Sequence, residues 1–133
     1  TFNKHYEEYM KKIAFILITL TALASCQKED HNGDLGGFWK LMQVELAADS
    51  TVINNRDKSL FWAVQLDVIQ IAEGKGRFQH VKDSLFVQLV TLPKEPQHYG
   101  LFNPEDERFG VLHLDRNGMI LRSKDATLTF KKF

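Results

Sequence analysis

The 133-residue sequence has one cysteine, three prolines and no excess of either charge. A single cysteine excludes an intramolecular disulfide and a zinc site built from several cysteines. Seventeen basic residues balance seventeen acidic ones, so no surplus positive charge attracts nucleic acid, and we expect no nucleic-acid partner. With 44% hydrophobic and 26% charged residues, the composition is that of one ordinary folded domain.

Long hydrophobic runs are also missing. The uncharged stretch Ile13–Ala24 is shorter than the roughly 20 apolar residues that a membrane-spanning helix needs. It follows two lysines and leads into small residues before Cys26, which is the pattern of a secretory signal peptide. We predict a signal peptide over residues 10–25, with residues 1–9 as an upstream extension from a mis-assigned start. A buried helical hairpin is the alternative.

The residues around the cysteine resemble a lipoprotein processing site. Leu23-Ala24-Ser25-Cys26 resembles the bacterial lipobox, which implies that Cys26 is acylated and becomes the first residue of the mature protein. Each CH₂ group buried in a bilayer contributes about 0.8 kcal/mol, so several acyl chains on one residue anchor it stably. We therefore predict lipidation at Cys26 and a membrane as partner. An ordinary signal peptide with an incidental cysteine is the alternative.

A short charged segment follows the cysteine. Gln27, Lys28, Glu29 and Asp30 resemble the export signal of Bacteroidetes lipoproteins, which implies a location on the outer face of the outer membrane. A solvated tether, kept extended by its charges, explains the same four residues equally well. In both cases residues 26–36 are predicted to link the anchor to a folded domain over residues 37–133.

The folded domain consists of short β-type runs separated by turn sequences. Alternating apolar residues and β-branched or aromatic content favour strands over helices throughout, and Leu60–Ala72 is predicted as one long strand. The other predicted strands are Phe38–Leu46, Gly76–Val81, Leu85–Leu92, His98–Phe102, Phe109–Leu114, Met119–Arg122 and Ala126–Lys132. About eight short antiparallel strands predict an all-β fold, either a small sandwich or a closed barrel.

A family resemblance favours the barrel. Gly37 and Trp39 form the Gly-x-Trp pattern that opens the first strand of lipocalins and the wider calycin group. The segments LFWAVQLDVIQI and GMILRSKDATLTFKKF also resemble the lipocalin-like lipoproteins of Bacteroidetes. The resemblance implies a small antiparallel up-and-down β-barrel with a binding cavity. It also implies that Trp39 closes the barrel against an arginine, for which Arg122 is the candidate and Arg116 or Lys131 the alternatives.

Catalytic and metal-binding patterns are missing from the sequence. No two histidines stand at metal-ligand spacing within one segment, and no Gly-x-Ser-x-Gly nucleophile motif occurs. The adjacent acids Glu105, Asp106 and Glu107 are more typical of a solvated turn than of a general acid and base in a cleft. We therefore expect no enzyme activity, no metal and no cofactor.

Aromatic residues are the remaining candidates for binding. Trp62, Phe78, Phe86 and Tyr99 are predicted to line an apolar cavity for a small apolar or amphipathic ligand, although the same residues could fill a core. The leading hypothesis is an envelope-anchored binding protein. The alternative is a filled barrel that acts as an interaction or inhibitor module through the loops Pro93–Pro96 and Pro104–Arg108.

Overall fold

Nine antiparallel strands and two short 3-10 helices make up residues 32–133, the part of the chain that the computed structural model describes. The 3-10 helices are Gly33–Leu35 and Pro96–Tyr99. The strands are β1 (Gly37–Leu46), β2 (Val52–Asn54), β3 (Phe61–Gln65), β4 (Val68–Ile71), β5 (Gly74–Val81), β6 (Ser84–Thr91), β7 (Glu107–Leu114), β8 (Gly118–Arg122) and β9 (Ala126–Lys132).

The predicted signal peptide, Cys26 and the export segment Gln27–Asp30 lie outside the described residues. Among residues 32–133, no helix has the length and apolar character needed to cross a bilayer.

The strands form a closed barrel. From β3 to β9 each strand pairs with the next in sequence, β1 pairs with β3, and β9 returns to pair with β1. The short β2 lies outside this circuit and extends the sheet along the second half of β1. The circuit contains eight strands and is antiparallel throughout, which confirms the predicted all-β, up-and-down barrel. Closure leaves the circuit without an exposed edge along which a foreign strand could add.

The predicted long strand Leu60–Ala72 is instead a hairpin. β3 and β4 pair through Val64↔Ile69 and Trp62↔Ile71, with Leu66 and Asp67 in the turn between them. Trp62 and Val64 face the core as expected. The turn then reverses the alternation, so that Ile69 and Ile71 are buried while Val68 is exposed. The sequence does not indicate this turn, because Leu66 has a positive φ of 52° at a position where tight hairpin turns favour Asn, Asp or Gly.

Two other elements differ from the sequence prediction. His98–Phe102 was predicted as a strand, but the chain there forms the second 3-10 helix and a bend that covers one end of the barrel. Pro96 in the first turn of this helix fixes a φ compatible with it. The short β2 was not predicted, since its three residues are all exposed and show no alternation.

Side chains fill the barrel interior. Trp39 and Trp62 are fully buried, and the Trp62 ring packs edge-on against Phe109 at 5.7 Å and Phe130 at 4.8 Å between centroids. The rest of the core comes mainly from the inward-facing apolar residues of β1, β3, β4, β6, β8 and β9, among them Leu41, Val64, Ile69, Ile71, Leu85, Val87, Met119, Leu121 and Leu128. Small eight-stranded barrels are just wide enough to be packed in this way.

One end of the barrel, here called the tryptophan end, is sealed around Trp39. The Trp39 indole donates a 2.7 Å hydrogen bond to the carbonyl of Leu35, whose own side chain is buried. The Lys132 ammonium lies 4.3 Å from the Trp39 ring centroid and donates to the carbonyls of Asp34 and Gly36. Residues 33–36, predicted as tether, are therefore part of the seal.

The cation against Trp39 is Lys132 and not the predicted Arg122. Lys132 is the β9 partner of Trp39 in the barrel-closing register, which places the two side chains side by side. Arg122 ends β8, pairs with Gly110 and Thr127 at the opposite end of the barrel, and is exposed. The Gly-x-Trp pattern located the seal but carried no information about which strand closes on it.

We predict that Lys132→Ala lowers the free energy of unfolding by about 2 kcal/mol, because a cation–π contact and charge-assisted hydrogen bonds are lost together. Urea unfolding measures the change. The matched control is Lys131→Ala, which removes the exposed lysine next in sequence, and Arg122→Ala should also stay within about 0.5 kcal/mol of wild type. A larger loss in Arg122→Ala than in Lys132→Ala would contradict this assignment of the closing cation.

Candidate functional site

The opposite end of the barrel, here called the loop end, is covered by residues 92–106. The Trp62 indole donates a 3.1 Å hydrogen bond to the carbonyl of Tyr99, and Leu101 is fully buried among the core residues. Gly100 has a φ of 82°, and a Cβ at this position would lie 2.5 Å from the Leu128 side chain, so only glycine lets the loop approach so closely. Both ends of the barrel are thus occupied by protein.

A buried carboxylate fastens this loop to β7. Glu107 is only 2% exposed, and its Oε2 accepts hydrogen bonds from the backbone amides of Phe102 at 3.1 Å and Asn103 at 2.5 Å. Burial raises the pKa of Glu107, while the Asn103 and Phe102 amides act in the lowering direction. The carboxylate therefore has a structural role, and the sequence interpretation of Glu105–Glu107 as a solvated turn does not hold for Glu107.

The most voluminous concavity that we describe lies on the outer surface of the barrel, across β4 to β7. This outer groove has a volume of about 820 Å³. Its lining consists of Asp67, Val68, Arg77, Phe78, Gln79, Phe86, Gln88, Asp106 and Arg108. A smaller concavity of about 360 Å³ shares Asp106 and Arg108 with it and continues toward Lys124 and the loop end.

The strand register explains why polar side chains meet in the outer groove. Gln79 pairs with Phe86 and Phe86 pairs with Arg108, and directly paired residues project to the same face of a sheet. The Arg108 guanidinium accordingly lies 5.8 Å from the centroid of the Phe86 ring. The neighbouring row on the same face contains Val68, Arg77 and Gln88.

The two arginines have donors available for a ligand. Within residues 32–133 the acid–base pairs that we find are His98 with Glu95 and His113 with Asp115, so neither Arg77 nor Arg108 is held by a carboxylate. A guanidinium presents a rigid fork of N–H donors that matches a carboxylate or phosphate. Phe86 and Val68 supply apolar surface beside these forks. The outer groove therefore fits the two parts of an amphipathic anion.

No arrangement for metal binding occurs in the described part of the chain, where histidine and acidic side chains do not gather in groups of three or more. The Nε2 atom of His113 lies 2.8 Å from Oδ2 of Asp115. The other carboxylate oxygen, Oδ1, accepts hydrogen bonds from the backbone amides of Asn117 and Gly118 in the β7–β8 turn. This pair organises a turn.

Comparison with known proteins identifies the family. The sequence profile of the lipocalin-like domain matches residues 20–133. The chain belongs to the lipocalin-like domain family. A lipocalin-like protein from Bacteroides uniformis has a similar crystal structure, with a TM-score of 0.61 at 22% identity over 76% of this chain and all of that one. An uncharacterized protein from Bacteroides eggerthii has a TM-score of 0.56 at 15% identity over 74% of this chain and 98% of that one. No curated protein matches the sequence.

Lipocalin-like domains are generally binding folds without enzyme activity, which makes a ligand-binding module the function class supported here. The four predicted ligand contacts, however, do not converge on one cavity in this lipocalin-like domain. Trp62 is fully buried in the core and bonds to the Tyr99 carbonyl, whereas Phe86 lines the outer groove. Phe78 borders the groove, but it pairs with the buried Val87 and packs against the core. Tyr99 lies against a separate shallow hollow of about 260 Å³ that also includes Phe38 and Phe61.

Sequence reasoning missed the arginines of the outer groove. Arg77 and Gln79 alternate along β5, as Asp106 and Arg108 do at the start of β7, so each pair falls on the polar face of a strand. The sequence shows that alternation, but the same pattern is typical of an ordinary solvent-exposed strand face. Only the pairing of β5, β6 and β7 shows that these side chains flank one aromatic ring.

We predict that acid stabilises the wild-type lipocalin-like domain relative to Glu107→Gln. A folded-state pKa above the unfolded value means that the folded protein binds the proton more tightly. The contribution of Glu107 to stability should therefore become more favourable as the pH falls from neutral through this raised pKa toward the usual glutamate range. Urea unfolding of both proteins at a series of pH values measures the free energy of unfolding of the wild type minus that of Glu107→Gln. We expect this value to rise toward acid, and a fall would contradict the prediction.

Proposed function

We propose that this protein is an envelope-anchored lipoprotein whose lipocalin-like domain binds a small amphipathic anion in the outer groove. The observation that carries the proposal is the pair of arginines without carboxylate partners beside Phe86, with the Arg108 guanidinium 5.8 Å from that ring. The filled interior and the two covered ends argue against a ligand inside the barrel.

The groove favours a ligand with a compact anionic group and an apolar body. Bidentate hydrogen bonds from a guanidinium are charge-assisted and about twice as strong as neutral ones. Phe86 is half-buried and Val68 half-exposed, so an apolar chain laid between them removes further apolar surface from water. Asp67 and Asp106 line the same groove and disfavour a second anionic group at those positions. Fatty-acid-like carboxylates meet these requirements.

The first test is binding of dansyl-labelled undecanoic acid, followed by fluorescence titration. We expect Arg108→Gln to weaken binding of the acid by about tenfold, the equivalent of one charge-assisted hydrogen bond of about 1.4 kcal/mol. We expect it to leave binding of the uncharged methyl ester unchanged. Phe86→Ala should weaken binding of both probes, because both contain the apolar chain.

Val90→Ala is the matched control for Phe86→Ala, since Val90 projects from the same face of the same strand outside the outer groove. Failure of the wild-type domain to bind the acid, or equal losses for acid and ester in Arg108→Gln, would refute the proposed ligand chemistry. Mass spectrometry of small molecules released from protein purified from its own envelope then identifies the natural ligand class.

The proposed anchor is the acylated Cys26, supported by the lipobox resemblance. We predict that Cys26→Ala abolishes incorporation of radiolabelled fatty acid and leaves the signal peptide uncleaved, because the thiol is the site of acylation. Ala24→Ser, which keeps a small residue two positions before the cysteine, is the control and should still be labelled. Undiminished labelling of Cys26→Ala would refute the anchor.

The proposed address is the outer face of the outer membrane, supported by the resemblance of Gln27–Asp30 to an export signal. We predict that protease added to intact cells digests this protein, and that replacing Lys28, Glu29 and Asp30 by alanine protects it. A periplasmic protein serves as control for envelope integrity. Protection of the wild-type protein, with a known surface protein digested in parallel, would contradict surface exposure.

A second candidate function is an interaction or inhibitor module, which the filled interior also supports. The loop end then carries the contact surface, because Val90 and Leu92 are exposed beside Pro93–Pro96. In this case the Arg108→Gln and Phe86→Ala variants still capture the protein partner, and variants with substitutions at Val90 and Leu92 do not.

A further inference from the structure

The chain enters the barrel at the tryptophan end. Asn32 is the first described residue, and its side-chain amide donates a 3.0 Å hydrogen bond to the carbonyl of Leu66 in the β3–β4 turn. Asn32 lies six positions after Cys26, and six steps of the chain span at most about 20 Å when fully extended. An anchor at Cys26 therefore keeps the tryptophan end within about 20 Å of the lipid surface.

Several exposed apolar side chains lie at this same end. The β3–β4 turn, the β5–β6 turn and the end of β9 all lie at the tryptophan end, because alternate connections of an up-and-down barrel share one rim. Leu66 is 66% exposed in the first of these turns, Val81 is 55% exposed beside the second, and Phe133 is 84% exposed after β9. Phe38, at the start of β1, is also exposed.

Leu66 is an unexpected residue for its position. It occupies a two-residue hairpin turn at a φ of 52°, where Asn or Gly is favoured and a large side chain is strained. A strained, exposed leucine contributes little to folding. Strain of this kind tends to accompany functional surfaces.

The charges at the tryptophan end are balanced. Lys82 is followed by Asp83 in the β5–β6 turn, and Asp115 is followed by Arg116 in the β7–β8 turn. An electrically balanced rim has no net attraction to anionic lipid, so its contact with a bilayer would depend on apolar insertion and respond little to salt.

We infer that the rim formed by Leu66, Val81 and Phe133 is a membrane-contacting surface that inserts into the lipid headgroup region. The inference rests on the proposed anchor for the identity of the occupant, since a lipid anchor at Cys26 holds a bilayer close to this rim. The barrel then stands upright on the membrane, with the loop end pointing away from it. Contact through the rim gives the barrel a defined orientation on the membrane.

The test uses residues 27–133 with a hexahistidine tag in place of Cys26, captured on phosphatidylcholine vesicles that contain nickel-chelating lipid. The solved Bacteroides uniformis structure, matched along its whole length by the barrel region of this chain, supports the use of this region alone. Single cysteines that replace Leu66 or Val81 carry the environment-sensitive dye NBD, and Val90→Cys is the matched control at an 85% exposed valine near the loop end.

We expect NBD fluorescence to rise severalfold and shift to the blue at positions 66 and 81 on capture, to persist in high salt, and to stay unchanged at position 90. Adding Phe133→Asp should reduce the rise at position 66. Unchanged fluorescence at all three positions, an equal rise at all three, or a rise abolished by high salt would overturn the inference. Because nickel lipid replaces the acyl group, these results do not depend on whether Cys26 is acylated in cells.

Discussion

The pairing of β1 with β9 is the constraint on which the rest of the molecule depends. Seven β1 residues pair with β9 in an antiparallel register that brings the end of the chain back to the first strand. This closure determines which face of every strand points inward, and it places Lys132 beside Trp39. The seal at the tryptophan end and the packed interior are both consequences of that one register.

Closure around large side chains leaves the barrel no room for a central ligand. Two buried tryptophans, one of which packs edge-on against Phe109 and Phe130, fill the space that wider barrels leave open. The loop end is held by Glu107 and by the Trp62 indole, so the usual mouth of such a fold is occupied as well. The proposed binding site therefore lies on the outer surface, in the groove whose lining includes Arg77, Phe86 and Arg108.

Sequence alternation predicted most strands because one face of each is apolar. It failed where local chemistry gave a misleading signal: Leu66 occupies a turn without a turn-type residue, and the aromatic run His98–Phe102 packs as a covering loop. For the site, sequence reasoning selected Phe86 by its aromatic character but could not separate it from Trp62 and Phe78, which pack in or against the core. Aromatic type alone does not distinguish an inward ring from an outward one.

By itself, the sequence determined the all-β class, since periodic apolar residues and closely spaced turns permit a small sandwich or a closed barrel, and the family resemblance favoured the barrel. It also located Trp39 as a closing residue. The tertiary structure alone decided which cation meets Trp39, which aromatic rings remain accessible, and which arginines flank Phe86. These are contacts between residues far apart in sequence, and strand register, which the local pattern does not encode, is what brings them together.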